Sequence, residues 1–257
     1  MPLDVPDFSG VAAEYAASRP RYPQELFDWL ASVAAHRDAA WDIATGNGQA
    51  AVGVAAHFTR VFATDLSARQ LAHGIRHPRI EYRVAPAEAS GLASDSIDLV
   101  TVAAAIHWFD LPRFYEEVRR VARDGAVVAA WTYHVAHVGP PLEQVLGPFY
   151  SDVVGPYFAA AARMVDARYE GIVLPGEPLV SPPFFVPVRW NAEQWLNFIR
   201  TWSGVQSYIA SVKKDPVADI EDAVREALGG GDSAVETNWP LYVRAARLQA
   251  GRAGEQG

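Results

Sequence analysis

Trp41-Asp42-Ile43-Ala44-Thr45-Gly46-Asn47-Gly48-Gln49-Ala50 is the stretch on which the fold turns. The apolar segment Ala39–Ile43, carrying a carboxylate near its end, runs into a small glycine-containing turn and then resumes apolar helical spacing. That order reads as strand, tight loop and helix start. The glycines let a ligand press against backbone N–H groups that a Cβ would shield. Asp42, at the strand end, is placed to meet a cationic or hydroxylated ligand.

Outward from this stretch the pattern alternates. Strands read at Ala39–Ile43, Arg60–Thr64, Ile80–Val84, Ile97–Ala103 and Gly125–Trp131. Helical spacing lies between them at Ala50–Phe58, Ser67–Gly74 and Leu111–Ala122, with one turn near Ala87–Gly91. Buried apolar strands alternating with helices predict a parallel sheet with helices on both faces. Ahead of it, Arg19-Pro20-Arg21-Tyr22-Pro23 breaks a helical lead-in, and Gln24–Ala34 reads as a helix through Leu26, Phe27, Leu30 and Val33. After Trp131 the alternation stops. Helical patterns follow at Leu142–Val154, Tyr157–Tyr169, Ala192–Thr201, Ser203–Ser211 and Val217–Leu228, with extended runs at Pro183–Arg189 and Trp239–Ala246.

The expected class is therefore α/β: a doubly wound, Rossmann-like, mostly parallel seven-stranded sheet with a helical cap. The chain divides into a helical lid (1–35), a cofactor-binding core (36–135), a helical cap insertion (136–182), closing strands with further cap (183–250) and a tail (251–257).

Composition narrows the function. The 257 residues are half apolar and one-fifth charged, as in a globular protein. A net charge of −8 lacks the basic face that a nucleic-acid backbone demands. There is no cysteine, hence no disulfide framework or thiolate metal site. The start lacks a basic and apolar leader, and no apolar run reaches the roughly 18 residues of a membrane span. A cytoplasmic protein without membrane or nucleic-acid partners is expected, as a monomer or homodimer. No metal site is expected either: His73 and His77 are four apart, but no third ligand joins them.

Gly46, Gly48 and Ala51 also fit the dinucleotide pattern G-x-G-x-x-A, with Asp65 19 residues after Gly46. Three features favour S-adenosylmethionine (SAM) over a nicotinamide dinucleotide. Asp42 would repel a pyrophosphate but suit an ammonium and a sulfonium. About 35 residues of helix precede the first strand. No second mononucleotide-binding half follows the fifth. Asp65 ends the second strand, where a carboxylate can accept hydrogen bonds from ribose hydroxyls. Ser67-x-x-Gln70 forms a capping box for the next helix, which leaves Asp65 available to a ligand.

With these residues in hand, the chain resembles class I SAM-dependent methyltransferases. Ser96-Ile97-Asp98-Leu99-Val100-Thr101-Val102-Ala103-Ala104-Ala105-Ile106-His107-Trp108-Phe109-Asp110 is similar to that family's fourth-strand motif. The opening Phe8-Ser9-x5-Tyr15-x3-Arg19-Pro20-x-Tyr22-Pro23 and the closing Asn238-Trp239-Pro240-Leu241-Tyr242-Val243-Arg244 resemble the small-molecule subgroup of trans-aconitate methyltransferase-like proteins. The resemblance implies that Asp42 and the loop Ala44–Gly48, with Thr45 and Gly46, hold the methionine end of SAM. It puts Asp65 at the ribose, Leu66 against the adenine, and Ala87 and Glu88 near the ring edge. Gln70 is counted among the cofactor contacts, Ala103 meets the methionine moiety through its backbone, and Tyr15 and Arg19 form part of a lid. One departure stands out: Ala44 replaces a glycine common in the family.

Methyl transfer needs nucleophile, methyl and sulfur in line, and such positioning supplies roughly 7–11 kcal/mol. His107 and Trp108, just past the fourth strand, are the catalytic candidates. Trp108 offers an indole N–H and a π-face. His107 is a candidate base for a phenol or enol acceptor, which a carboxylate acceptor would not need. Arg19 is a candidate for an anionic substrate. Tyr133, His134 and His137 point toward the pocket rim, the two histidines reading first as surface-loop residues. Trp195, Trp202 and Tyr208 sit on cap helices and read as core by default, with Trp202 and Tyr208 also candidates to wall an apolar pocket. The expected activity is methylation of a small molecule at a carboxylate or other oxygen. The alternatives are C- or O-methylation of a phenol, enol or quinone-like metabolite, a non-methylating SAM-binding protein, or an NAD-dependent oxidoreductase.

Overall fold

A computed structural model describes residues 20–133, 139–230 and 234–249. The alternation seen in the sequence becomes β1 (Ala39–Ile43), α2 (Gln49–Ala55), β2 (Arg60–Asp65), α3 (Ala68–Ala72), β3 (Ile80–Val84), β4 (Ile97–Ala103), α4 (Leu111–Val121) and β5 (Ala122–Tyr133), preceded by α1 (Gln24–Val33). Strands β1 to β5 are all parallel, in the order β3-β2-β1-β4-β5. Sheet order reverses at β1: β2 and β3 lie to one side and β4 and β5 to the other. At such a switch point the loops leaving neighbouring strands part and open a crevice at the carboxyl ends.

The faces sort by strand period. Ala40, Leu99, Val127, Ala129 and Trp131 point toward α1 and α2, where they meet Leu26, Phe27, Leu30 and Val54. Their neighbours Trp41, Val100, Val102, Val128 and Ala130 point toward α4, against Phe114, Val118 and Val121. Helix α4 starts cleanly because the Asp110 side chain accepts from Arg113 N at 3.4 Å and Pro112 occupies the first turn.

The sheet closes with β8 (Val235–Arg247), antiparallel to β5. Along the far side of β8 lie β6 (Glu177–Leu179) and β7 (Phe184–Trp190), end to end and both antiparallel to it. Leu179 faces Ala245 and Phe184 faces Leu241, so the outer strand spends one residue more than β8 between them. The two short segments make one interrupted edge, giving seven strand positions, as expected.

The later helices are more broken than their sequence suggests. Leu142–Val154 becomes α5 (Pro140–Pro148) followed by a π-helical turn at Phe149–Val153. Tyr157–Tyr169 is not one helix but short turns at Gly155–Tyr157 and Ala160–Ala162, then α6 (Arg163–Asp166). Helices α7 (Ala192–Arg200) and α8 (Ser203–Val212) match, with an Asn191–Gln194 capping box on α7. Val217–Leu228 divides into a 3-10 turn, Pro216–Asp219, and α9 (Glu221–Ala227). These helices pack on an aromatic nucleus of Trp190, Trp195, Phe198 and Trp239, whose rings stand 5.1–6.2 Å apart. Among the described residues, no helix is long and apolar enough to cross a membrane.

Candidate active site

The crevice at the switch point is a pocket of about 590 Å³. Its wall comes from residues between Pro20 and Tyr133: the β1–α2 loop, the end of β2 with the start of α3, the Ala85–Glu88 segment, and the Ala103–Phe109 segment after β4.

The β1–α2 loop is built from strained or permissive backbone. Ala44, Gly46 and Gly48 take φ values of +50°, +57° and +86°. Glycine adopts these angles freely, whereas alanine at Ala44 does so at a cost of about 1–2 kcal/mol. A Cβ at Gly46 would meet nothing within 4 Å, so the loop presents open backbone to the pocket. A Cβ at Gly48 would run into the Tyr82 hydroxyl, and together with the left-handed φ this explains glycine there.

Asp42 underpins this loop instead of facing the pocket. It is fully buried, and its carboxylate accepts from Thr45 Oγ1 at 2.5 Å and Thr101 Oγ1 at 2.7 Å. Burial pushes its pKa up to about 6, against the opposing pull of the two hydroxyls, and the charge of Asp65 adds to the rise. The expectation that Asp42 meets the ligand is thus corrected. Its strand position turns it inward, where it ties β1, the loop and β4 together.

Asp65 does line the pocket. Its Oδ2 accepts from Gly46 N at 2.9 Å and its Oδ1 from Ser67 N at 2.8 Å. Burial raises its pKa above the usual carboxylate value, opposed by these backbone donors. Ser67 does cap α3, accepting from Gln70 N at 3.2 Å, yet Asp65 is not left idle by that arrangement. It clamps the loop to α3 while each oxygen keeps acceptor capacity toward the pocket.

Thr45, Leu66, Gln70, Ala87, Glu88, Ala103 and Trp108 also line the wall, whereas Gly48 lies behind it. Leu66 is 65% exposed, an apolar platform at the pocket edge. Among the described residues Gln70 Oε1 is buried with no hydrogen-bond partner, an acceptor that a ligand donor would satisfy. Glu88 Oε1 accepts from Asp110 N at 3.0 Å, which ties the Ala87–Glu88 turn to the start of α4.

His107 is turned away. It is buried, and its Nδ1 lies 2.8 Å from the Tyr169 hydroxyl. Its ring packs against Trp108 with centroids 4.7 Å apart and planes tilted by 47°, and Trp108 does reach the pocket beside Phe109 and Tyr133. The sequence could not foresee this, since Tyr169 comes from 62 residues further along the chain. Trp202 and Tyr208 do not reach the pocket wall: Trp202 packs on Phe149, Tyr150 and Phe198, and Tyr208 on Tyr157. Sequence reading missed Pro20 and Tyr22 as wall residues; both follow the Arg19 position already singled out, so proximity in sequence was the available signal. Tyr15, Arg19, His134 and His137 lie outside the described residues.

The donor set fits a nucleoside ligand. A carboxylate with spare lone pairs, an unpaired amide oxygen and an exposed leucine adjoin a loop of open backbone. A family model described as a methyltransferase domain matches residues 41–130. Over 243 residues the chain is 30% identical to a Dictyostelium discoideum protein named as a methyltransferase, covering 92% of each. It is 25% identical to a Saccharomyces cerevisiae protein named as an S-adenosylmethionine-dependent methyltransferase, covering 81% of this chain and 84% of that one. Among solved structures, a protein from Anaeromyxobacter dehalogenans described as a type II methyltransferase aligns with a TM-score of 0.81 at 40% identity, covering 90% of this chain and 98% of that one. The chain belongs to the class I SAM-dependent methyltransferases. When bound, SAM supplies an electrophilic methyl group on a sulfonium.

Proposed function

We propose that this enzyme methylates a small molecule at a carboxylate oxygen. The observation that carries the reading is the make-up of the wall. Among the described residues, its titratable side chains are Tyr22, Asp65, Arg69, Glu88 and Tyr133, with neither histidine nor lysine. Asp65 and Glu88 are engaged by backbone amides. No side chain there is suited to take a proton from a neutral nucleophile near pH 7. An acceptor must arrive already ionised, as a carboxylate does. The pocket volume lies within the range of small-molecule sites, and the net charge of −8 disfavours a nucleic acid. The opening and closing motifs that resemble trans-aconitate methyltransferase-like proteins support the same substrate class.

In this reading the loop Ala44–Gly48, Asp65, Leu66, Gln70, Ala87, Glu88 and Ala103 hold the cofactor. Pro20, Tyr22, Trp108, Phe109 and Tyr133 wall the acceptor with apolar surface that excludes water. Tyr15 as a cofactor contact and Arg19 as a contact for the substrate anion are carried into this reading from the family resemblance alone, since both lie outside the described residues, while Gln24–Val33 belongs to the core and not to a lid.

The test is incubation with labelled SAM and a panel of small acids, phenols and cell extract, followed by mass analysis of the methylated product. A methyl ester is expected, with kcat/KM flat above about pH 6, where a carboxylate is already ionised. His107→Gln should stay within a few-fold of wild type. A loss of about 100-fold in that variant, with a rate rising through neutral pH, would transfer the reading to base-assisted methylation of a phenol or enol.

A further inference from the structure

Tyr169 has no part in the cofactor site, yet its placement is over-determined. It follows α6, whose end is a Schellman turn: Tyr169 N donates to Met164 O at 2.9 Å and Arg168 N to Val165 O at 2.8 Å. Such a turn ordinarily carries glycine at the left-handed position. Here Arg168 and Tyr169 are both left-handed, with φ +54° and +58°. The surroundings hold the turn in place: Arg244 Nε donates to the Tyr169 carbonyl at 2.9 Å, and the Arg168 guanidinium lies 5.2 Å from the Tyr242 ring centroid. Both partners belong to the closing motif of β8. The result drives the Tyr169 ring fully into the core, where burial raises its hydroxyl pKa well beyond the usual phenol value. The hydroxyl meets His107 Nδ1 at 2.8 Å, and the His107 ring packs at a tilt against Trp108 at the pocket wall. Ala160–Ala162 packs behind the same 106–108 turn.

We propose that Tyr169 is a positioning residue for the acceptor end of the pocket, acting through His107 to fix the face that Trp108 presents. The hydroxyl contact at Nδ1 holds the rotation of the imidazole, and since a hydroxyl both donates and accepts it serves either tautomer. The indole packs tilted against that ring with centroids 4.7 Å apart, so the set of the imidazole bears on the set of the indole. Two broken rules of backbone conformation at a buried contact mark a position held for a purpose outside local folding. That the Trp108 wall receives the acceptor rests on the function proposed above; the holding of the ring does not.

The test uses Tyr169→Phe, which keeps the buried ring and removes only the hydroxyl. Side-chain 15N NMR reads the His107 ring, assigned by its disappearance in His107→Asn, and the Trp108 indole N–H, assigned by its loss in Trp108→Phe. Wild type should show one sharp set of His107 ring resonances. Tyr169→Phe should shift the His107 ring nitrogens and the Trp108 indole resonance, with SAM affinity by calorimetry within about twofold of wild type. With the acceptor found by the labelling screen, KM should rise about fivefold, as expected for one hydrogen bond, and kcat should change less. Arg244→Gln, which leaves every core ring in place, reads the same two resonances should Tyr169→Phe not fold. Unchanged His107 and Trp108 resonances in a folded variant overturn the proposal. A labelling screen without methylated product counts instead against the proposed function and leaves the NMR result to decide the ring-holding.

Discussion

Replacing Asp65 by asparagine tests the cofactor site at the residue that both reaches the pocket and builds it. Asp65 stands between two backbone donors, Gly46 N at 2.9 Å and Ser67 N at 2.8 Å. Asparagine retains one acceptor oxygen and sets an amide N–H₂ against the other donor. One half-buried N–H then loses its acceptor, at a stability cost of about 1 kcal/mol. For a chain of this size that corresponds to a fall in melting temperature of roughly 2–4 °C per kcal/mol. On the ligand side the loss is larger than the steric change suggests. Hydrogen bonds to a charged acceptor contribute about 1.5–3 kcal/mol, so losing one weakens SAM about 10- to 150-fold. Asparagine is preferred to alanine because alanine would orphan both donors and mix loop collapse with lost ligand contacts. The assay is calorimetric titration of SAM and S-adenosylhomocysteine into wild type and variant, with melting curves in parallel. A folded variant that binds SAM within twofold of wild type would refute the assignment of Asp65 to the cofactor.

Ala44→Gly should relieve a left-handed alanine worth about 1–2 kcal/mol, offset by about 0.5–1 kcal/mol of extra unfolded-state entropy. The expected gain is between zero and about 1.5 kcal/mol in denaturant unfolding, with SAM affinity changed less than threefold; a clear loss of stability would mean that the alanine methyl packs favourably. Asp42 makes stability depend on pH in the opposite sense to a salt-bridged carboxylate. Its folded pKa of about 6 lies above the reference value of 3.8, so the folded state binds the extra proton. That contribution is fully present below about pH 3.8 and is lost as pH rises through 6, about 3 kcal/mol in all. Relative to Asp42→Asn, wild type should therefore lose stability between pH 4 and 7, and parallel curves for the two proteins would contradict the buried, proton-hungry carboxylate.

What could be read from the residues followed how local the controlling physics is. Strands β1 to β5 were legible because each carries a short apolar or alternating run set between helical spacings, and Asp65 and Gly46 because they sit at strand ends whose direction the alternation sets. Asp42 was misplaced by a half-turn of argument: a strand-end carboxylate can face the ligand or the core, and only the hydroxyls of Thr45 and Thr101 decide which. His107 was misread for a similar reason, its partner Tyr169 being remote in sequence. The end of α6 was invisible because arginine and tyrosine occupy positions where glycine would have announced a stop. Strand β6 was missed because Pro178 interrupts an already short extended run.

The interrupted outer strand has a consequence for how this chain meets others. Val173, Val180 and Phe185 are exposed along or beside it, an apolar margin of the kind that recruits foreign strands. Four prolines, Pro178, Pro182, Pro183 and Pro187, fall within that stretch, and each removes an N–H that a visitor would need. The extra residue between β6 and β7 also puts the two halves out of phase, so no straight strand can pair with both. The greasy border is thereby denied as a template for fibril growth, and the sheet ends where its own chain ends it.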